Sequence, residues 1–306
     1  MNCRTLALRL SWLLLALPAL WTAPPAYSAG GDRIIVSGAS GQLGTLTVRA
    51  LLARGVPAER LILVSRTPEK LQEFAKLGAS TRYADFAKPE SLPAAYAGGT
   101  RMLLISIGGG AGPRPQAHRR AIEAAIAAGV KHIAYTSWVG VSRDETTGLA
   151  ADHYQTEQIL KQSGIAWTML RNSIYMEGVL PQAARMLAAG RAEVRPGESP
   201  IGYVTREDCA AAAAAVLTSP GHENKAYDIT GPELVGTREI AAAASAVTGK
   251  PIEVVAANPA APAGRTFGGP TLSVTSTAVL DLTGRPPMSV RRFLESHKDQ
   301  LLGASP

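Results

Sequence analysis

The chain of 306 residues carries 31 Lys and Arg against 24 Asp and Glu, a formal charge of +7. Its basic residues are scattered, grouping only at His118-Arg119-Arg120 on a helix face that reads as solvated, so the clustered stripe of a nucleic-acid surface is missing and no nucleic-acid partner is expected. Two cysteines, Cys3 and Cys209, and five well-separated histidines give neither a disulfide framework nor a metal-ligand spacing, and no metal is expected.

In chain order, Arg4 and Arg9 precede the apolar run Leu10 to Trp21 and the small residues Ala26 and Ser28 on either side of Tyr27. The run is shorter than the roughly 20 residues that cross a bilayer, so residues 1–28 read as an export signal cleaved before Ala29. An uncleaved membrane anchor, or a cytoplasmic protein with a misassigned start, is the alternative. Cleavage removes two arginines and no acid, leaving +5.

Ile34-Ile35-Val36-Ser37 then runs straight into Gly38-Ala39-Ser40-Gly41-Gln42-Leu43-Gly44, which predicts a strand, a tight turn and a helix start. Glycines spaced by three let the backbone bend sharply, approach a pyrophosphate and pack the next helix on the strand, and the exposed N–H groups at the start of that helix would face phosphate oxygens. Leu61 to Val64 is a second buried strand, and Ser65-Arg66 follow where the ribose-reading residue is expected. An acid there would repel a 2′-phosphate. Arg66, with Lys70 a turn further on, suits that phosphate, so NADPH is expected over NADH; a solvated loop arginine is the alternative.

Further strands are predicted at Thr81 to Tyr83, Met102 to Ser106, His132 to Thr136 and Ala166 to Leu170. Between them fall helices at Gln42 to Arg54, Pro68 to Leu77, Pro89 to Tyr96, Pro115 to Ala128 and Leu149 to Ser163, several with Pro near the first turn and Gly just past the end. Alternation of this kind predicts an α/β, Rossmann-like doubly wound parallel sheet, with the ligand across the carboxyl ends of the strands. After Leu170 come Leu180 to Ala189, Arg206 to Leu217, Tyr227 to Thr230, Thr237 to Thr248, a Pro- and Gly-rich loop at Ala256 to Pro270, and a last helix at Ser289 to Leu302. These pieces are too short for an independent domain. Residues 29–306 therefore read as one domain, with 171–306 supplying a small C-terminal, substrate-side subdomain.

The order of motifs resembles the NmrA-like branch of atypical short-chain dehydrogenases, and within it the bacterial NAD(P)H:quinone oxidoreductases. The stretches that carry the resemblance are Gly38 to Gly44, Leu103 to Ser106, Ala128 to Ser137, Ser163 to Asn172 and Thr205 to Asp208. It implies that Ser40 to Gly44 hold the pyrophosphate, Arg66 the 2′-phosphate, and Ser106 with Ile107 the adenosine side. Asn172, Ser173, Tyr175 and Glu177 would lie along the nicotinamide, and Tyr135-Thr136-Ser137 below its ring. Typical short-chain dehydrogenases carry Tyr-X-X-X-Lys on the fifth helix, where the lysine prepares the tyrosine for proton transfer. Here Tyr154 is followed by Gln158, so alcohol-dehydrogenase chemistry is not expected.

A quinone needs no such pair, because it is already electrophilic and its reduction yields an aromatic ring. The expected activity is an NADPH-dependent reduction of a quinone or similar flat electrophile by direct hydride transfer, without flavin, with a small molecule as the partner and homodimerisation left open. His153 would bond a quinone oxygen or the nicotinamide ribose, and Trp138 and Tyr175 would wall the pocket. A helix histidine satisfied by a neighbour, and aromatic residues that merely pack, explain the same three residues as well. A non-catalytic NADP(H)-binding redox sensor is the rival reading.

Overall fold

Short apolar runs, buried on both faces in the three central strands nearest the amino terminus, build the frame. The computed structural model describes residues 31–108, 112–144, 147–258 and 270–303. The strands are β1 (Ile34–Ser37), β2 (Leu61–Ser65), β3 (Ser80–Tyr83), β4 (Arg101–Leu104), β5 (His132–Trp138), β6 (Ala166–Asn172), β7 (Arg191–Val194), β8 (Lys225–Ile229) and β9 (Glu253–Ala256). Seven of them form a parallel sheet in the order β3-β2-β1-β4-β5-β6-β8, and β7 pairs with β9 in a separate ribbon. The predicted six-strand sheet therefore gains β8, whose half-exposed residues carry a weaker apolar pattern than the central strands.

The helices are α1 (Gln42–Ala53), α2 (Gln72–Ala75), α3 (Leu92–Tyr96), α4 (Arg114–Ala127), α5 (Gly148–Gln162), α6 (Val179–Ala189), α7 (Arg206–Thr218), α8 (Thr237–Thr248), α9 (Ala278–Thr283), α10 (Val290–Ser296) and α11 (Lys298–Leu301). Strand residues two apart share a face. Ile34, Val36, Leu61, Leu63 and Leu103 thus meet Val48 and Leu51 of α1 and the buried alanines of α7. Ile35, Ile62, Met102, Leu104, Ile133 and Tyr135 meet α3, α4 and α5 on the other side. The alanine run Ala210 to Ala215 gives α7 a thin flank that lets it pack closely beside α1 and against the sheet.

A third core belongs to the C-terminal layer. Met176, Val179, Ala183 and Met186 pack with Ile240, Ala244 and Val247 of α8 and Phe293 and Leu294 of α10. Of the pieces expected to form a substrate-side subdomain after Leu170, α6, α8 and α10 lie in this layer, whereas α7 and β8 join the central sheet and its α1 face. The amino-terminal stretch 1–28 and most of the predicted Ala256 to Pro270 loop lie outside the described residues.

Three predicted helices are shorter than their patterns. Pro68–Leu71 is a 3-10 turn before α2. Pro89–Ser91 is another before α3, because Pro93 has no N–H to return to the Pro89 carbonyl. The last helix breaks at His297, whose Nδ1 bonds the Phe293 carbonyl at 2.8 Å in place of its own backbone N–H.

Candidate functional site

The strand order reverses beside β1, whose neighbours β2 and β4 are reached by connections on opposite faces, so a crevice opens at the carboxyl ends of β1 and β4. The glycine turn lines it. Gly38 has φ +92°, in the left-handed region, and its N–H bonds the Val64 carbonyl at 2.9 Å. Gly41 begins α1 with no side-chain cap, and the first turn of α1 holds no acid, so the orphan N–H groups and positive dipole end suit an anion. Gly44 packs helix on turn so closely that a Cβ would lie 2.7 Å from Ala39 Cα.

From this turn a cavity of about 1270 Å³ runs across the sheet to the C-terminal layer. Gly38, Gly41, Gln42, Leu43 and Gly44 close one end, and Ser106, Ile107, Ser137, Trp138, His153, Asn172, Ser173 and Tyr175 line the middle. Gln182, Arg185, Arg195 and Tyr203 line the far end. The volume exceeds the roughly 300–1,000 Å³ typical of a single small ligand, as a site for a dinucleotide plus a substrate must.

Most predicted site residues meet in this cavity, and four do not. Ser40 turns its hydroxyl away, sharing hydrogen bonds with Ser65 Oγ at 2.6 Å and Thr67 Oγ1 at 3.3 Å. Arg66 stands exposed just past β2, beside those hydroxyls and outside the cavity wall. Glu177 accepts from the Arg206 N–H at 2.9 Å and pairs with its guanidinium at 3.0 Å. It orients Arg206, which lies 4.3 Å over the Tyr175 ring and does reach the cavity.

Tyr135 is the fourth and the plainest correction. Its side chain is fully buried on the α4 and α5 face of the sheet, because strand parity sends it opposite to Thr136. Burial raises its phenol well above the ordinary range. A second correction concerns His118, which is fully buried, unlike its neighbour Arg119. The spacing Ala117/His118, Ala121/Ile122, Ala125 already marks that inward stripe of α4.

Several polar contacts shape the middle of the cavity. Glu157, fully buried, accepts from Ser137 Oγ at 2.7 Å and takes the Arg171 guanidinium in two bonds of 2.9 and 2.8 Å. The Ser106 N–H donates to Thr136 Oγ1 at 2.8 Å, and the Ile107 N–H donates to His118 Nε2 at 3.2 Å. Trp138 stacks on His153 with planes 21° apart. Asn172 Oδ1 and Ser173 Oγ are buried without a hydrogen-bond partner among the described residues. Buried polar groups are rarely left so, and both residues line the cavity. Together with the uncapped start of α1, they fit a bound dinucleotide that would satisfy them.

Tyr154, four residues before Gln158, lies on a small groove between α4 and α5 on the outside of the molecule. It takes no part in the cavity. Cys209 is buried within α7, and burial pushes its thiol well up. Among the described residues no group of three His, Cys, Asp or Glu side chains comes together.

Burial lowers three histidines most, His118 and His153 to about 3 and His132 to about 4, with His153 and Arg114 adding to the effect at His118, Arg114 at His153 and Arg101 at His132; His222 is lowered less. Because their folded values lie below the ordinary 6.5, the unfolded chain takes up protons between pH 6.5 and about 4 that the folded chain does not. Stability is therefore full above pH 6.5 and falls as pH drops through that window. Urea midpoints at pH 7.5 and pH 5 are expected to show a markedly weaker protein at pH 5, with up to three protons taken up on unfolding; equal midpoints would contradict the neutral, buried state of these rings.

Comparison with known proteins agrees with this geometry. A family model described as NAD(P)H-binding matches residues 38–220. Quinone oxidoreductase 2 of Escherichia coli (strain K12) is 39% identical over 219 residues, covering 72% of this chain and 76% of the relative. The NAD(P)H azoreductase of Xenophilus azovorans is 32% identical over 227 residues, covering 73% and 76%. Among solved structures, an NADPH-dependent quinone oxidoreductase from Escherichia coli complexed with NADPH is similar with a TM-score of 0.77 at 34% identity, over 87% of this chain and 99% of that one.

Proposed function

We propose, on the premise that the chain belongs to the NAD(P)H-binding, NmrA-like family and is an oxidoreductase, that it uses NADPH to reduce a quinone or a similarly flat electrophile directly, without flavin. The observation that carries this reading is one continuous cavity, with the glycine turn at one end and His153, Trp138 and Tyr175 beside the unpartnered Asn172 and Ser173. When bound, the reduced nicotinamide supplies the hydride.

The chain's own residues do the rest. The start of α1 and the Gly38 to Gly44 turn hold the pyrophosphate, and Ser106 and Ile107 border the adenosine. Asn172 Oδ1 and Ser173 Oγ take hydrogen bonds along the nicotinamide side. Trp138 and Tyr175 form flat walls that hold the substrate ring in register and exclude water, which is where most of the rate advantage of positioning lies. His153 donates a hydrogen bond to the substrate oxygen that gains charge. The cavity lacks the Tyr-Lys pair of alcohol chemistry, since Tyr154 faces outward, and an electrophile as reactive as a quinone does not need it. Relatives named as quinone and azo reductases support catalysis over a binding-only sensor.

The test is NADPH oxidation by the chain from Ala29 onward with benzoquinone as acceptor. Turnover that Gly41→Trp removes supports the reading, because Gly41 has ordinary backbone angles and lines the cavity, so the indole fills the cradle with little strain on the fold. Saturable NADPH binding with no turnover across a quinone panel would overturn it in favour of sensing.

Cofactor choice has a separate test. Arg66→Glu is expected to weaken NADPH binding roughly 10- to 100-fold more than NADH binding, because it exchanges a phosphate partner for a repelling charge. Fluorescence titration with both coenzymes measures the ratio, and equal losses would remove Arg66 from phosphate reading.

A further inference from the structure

We propose that Tyr135, itself oriented by His118 and Thr156, locks His153 in the one tautomer whose proton sits on Nε2, so that the cavity is met by a fixed hydrogen-bond donor. The inference rests on the reading of His153 as the group that meets the substrate oxygen.

The assignment starts from a backbone N–H, which can only donate. The Ile107 N–H bonds His118 Nε2 at 3.2 Å, so that nitrogen is the acceptor and the proton of the neutral ring is on Nδ1. His118 Nδ1 lies 3.1 Å from Thr156 Oγ1 and 3.5 Å from the Tyr135 hydroxyl. Thr156 gives its own proton to the Asp152 carbonyl at 2.9 Å, so its oxygen is free to accept from His118. Since His118 Nδ1 is a donor, the Tyr135 hydroxyl cannot donate to it.

Among the described residues its one close hydrogen-bond partner besides His118 is His153 Nδ1 at 2.7 Å, and Thr156 Oγ1 lies near enough to be felt without making a well-formed hydrogen bond. Were His153 Nδ1 protonated, the Tyr135 hydroxyl would face two donors, and its own proton would be left with only the Thr156 oxygen, which already accepts from His118 and stands in poor hydrogen-bond geometry, in a fully buried position. The arrangement that leaves every group satisfied has Tyr135 donating to His153 Nδ1. His153 then carries its proton on Nε2, which has no partner among the described residues, while the ring lines the cavity and stacks on Trp138.

Charged groups facing this cluster are few. Arg114 of α4 is paired with Asp152 of α5 at 3.1 Å, and Glu157 of α5 is engaged with Ser137 and Arg171. Burial, aided by Arg114, keeps both imidazoles neutral through the physiological range. His153 accordingly acts as a neutral donor to developing charge on the substrate oxygen, and Tyr135 and His118 are positioning residues.

The experiment is nitrogen-15 NMR of the whole chain labelled at histidine, with His153→Asn identifying the His153 signals. The expected result is an acceptor-type Nδ1 and an N–H-type Nε2 at His153, unchanged from pH 5 to pH 8. Tyr135→Phe is expected to mix the two tautomers and to lower kcat with benzoquinone about ten- to a hundredfold, leaving the KM for NADPH unaltered. A proton on Nδ1 of His153 in the unmodified chain overturns the inference, as does a Tyr135→Phe spectrum with the tautomer still fixed. Should that variant not fold, the unmodified chain's spectrum decides alone. A fixed Nε2–H tautomer in a chain that turns over no quinone supports the lock and overturns only the substrate reading.

Discussion

Gly44→Ala is expected to unfold or severely weaken the protein while Gly41→Ala leaves its stability nearly unchanged. The two glycines sit three residues apart in one turn, yet a Cβ at each meets different surroundings. At Gly44 it would overlap the Gly38 carbonyl oxygen and approach Ala39 Cα at 2.7 Å, both backbone atoms held in place by β1 and the Val64 carbonyl. No side chain can rotate away to relieve that overlap, so α1 must lift from the sheet and take the packing of Val48 and Leu51 with it. The cost is about 3 kcal/mol or more. At Gly41 a Cβ would stand 3.4 Å from the Gly38 oxygen with unexceptional backbone angles, so a methyl group there crowds only the ligand. Thermal melts of both variants, with NADPH titration of whichever folds, check the contrast. A Gly44→Ala protein as stable as its parent would mean that α1 packs less tightly than described.

Glu157→Ala is expected to have the second largest effect, a loss of about 3–5 kcal/mol, because it strips the partner from a buried ion pair. The Glu157 side chain is 1% exposed and that of Arg171 25%. Removing the carboxylate leaves the guanidinium in a poorly hydrated place, with Asp228 as the remaining acid close enough to be felt. Lys161 Nζ lies 3.9 Å from the same carboxylate and is too exposed to substitute for Arg171. Glu157→Gln keeps the bond from Ser137 and should lose less. Urea unfolding of the two variants measures the difference. An equal, small loss in both would show that the pair contributes shape and not charge. Ser137 lines the cavity, so Glu157→Ala should also loosen the wall beside Trp138 and raise the KM for substrate more than that for NADPH.

The parts of this molecule that rest on local chemistry were legible in its sequence. A buried strand running into glycines at 38, 41 and 44 specifies a phosphate-type turn, because few other residues tolerate both the +92° φ of Gly38 and the backbone contact at Gly44. The central strands announced themselves as unbroken apolar runs, whereas β8 and the β7–β9 ribbon, half exposed, did not. Helix lengths were overestimated where a proline or a histidine side chain interrupts the ladder, as at Pro93 and His297. At the site, side-chain direction was the difficulty. The motif around Tyr135 correctly marked the strand below the cavity, but alternation along β5 sends the phenol to the opposite face. The partnership of His118, Tyr135 and His153 joins α4, β5 and α5 and has no signature in spacing. Ser40 and Glu177 were drawn away by neighbours 25 and 29 residues distant, Ser65 and Arg206, which one-dimensional reading cannot weigh.

The burial of Cys209 matters for an enzyme whose proposed substrate is a quinone. Quinones are arylating agents that add readily to thiolates, so an enzyme that handles them invites covalent self-poisoning. Beyond Cys3 the chain has this single cysteine, and it is sealed inside the alanine-rich helix with its sulfur held in the protonated form. The packing that lets α7 lie thinly against the sheet thereby also shields the thiol from inactivation by the quinones proposed as substrates.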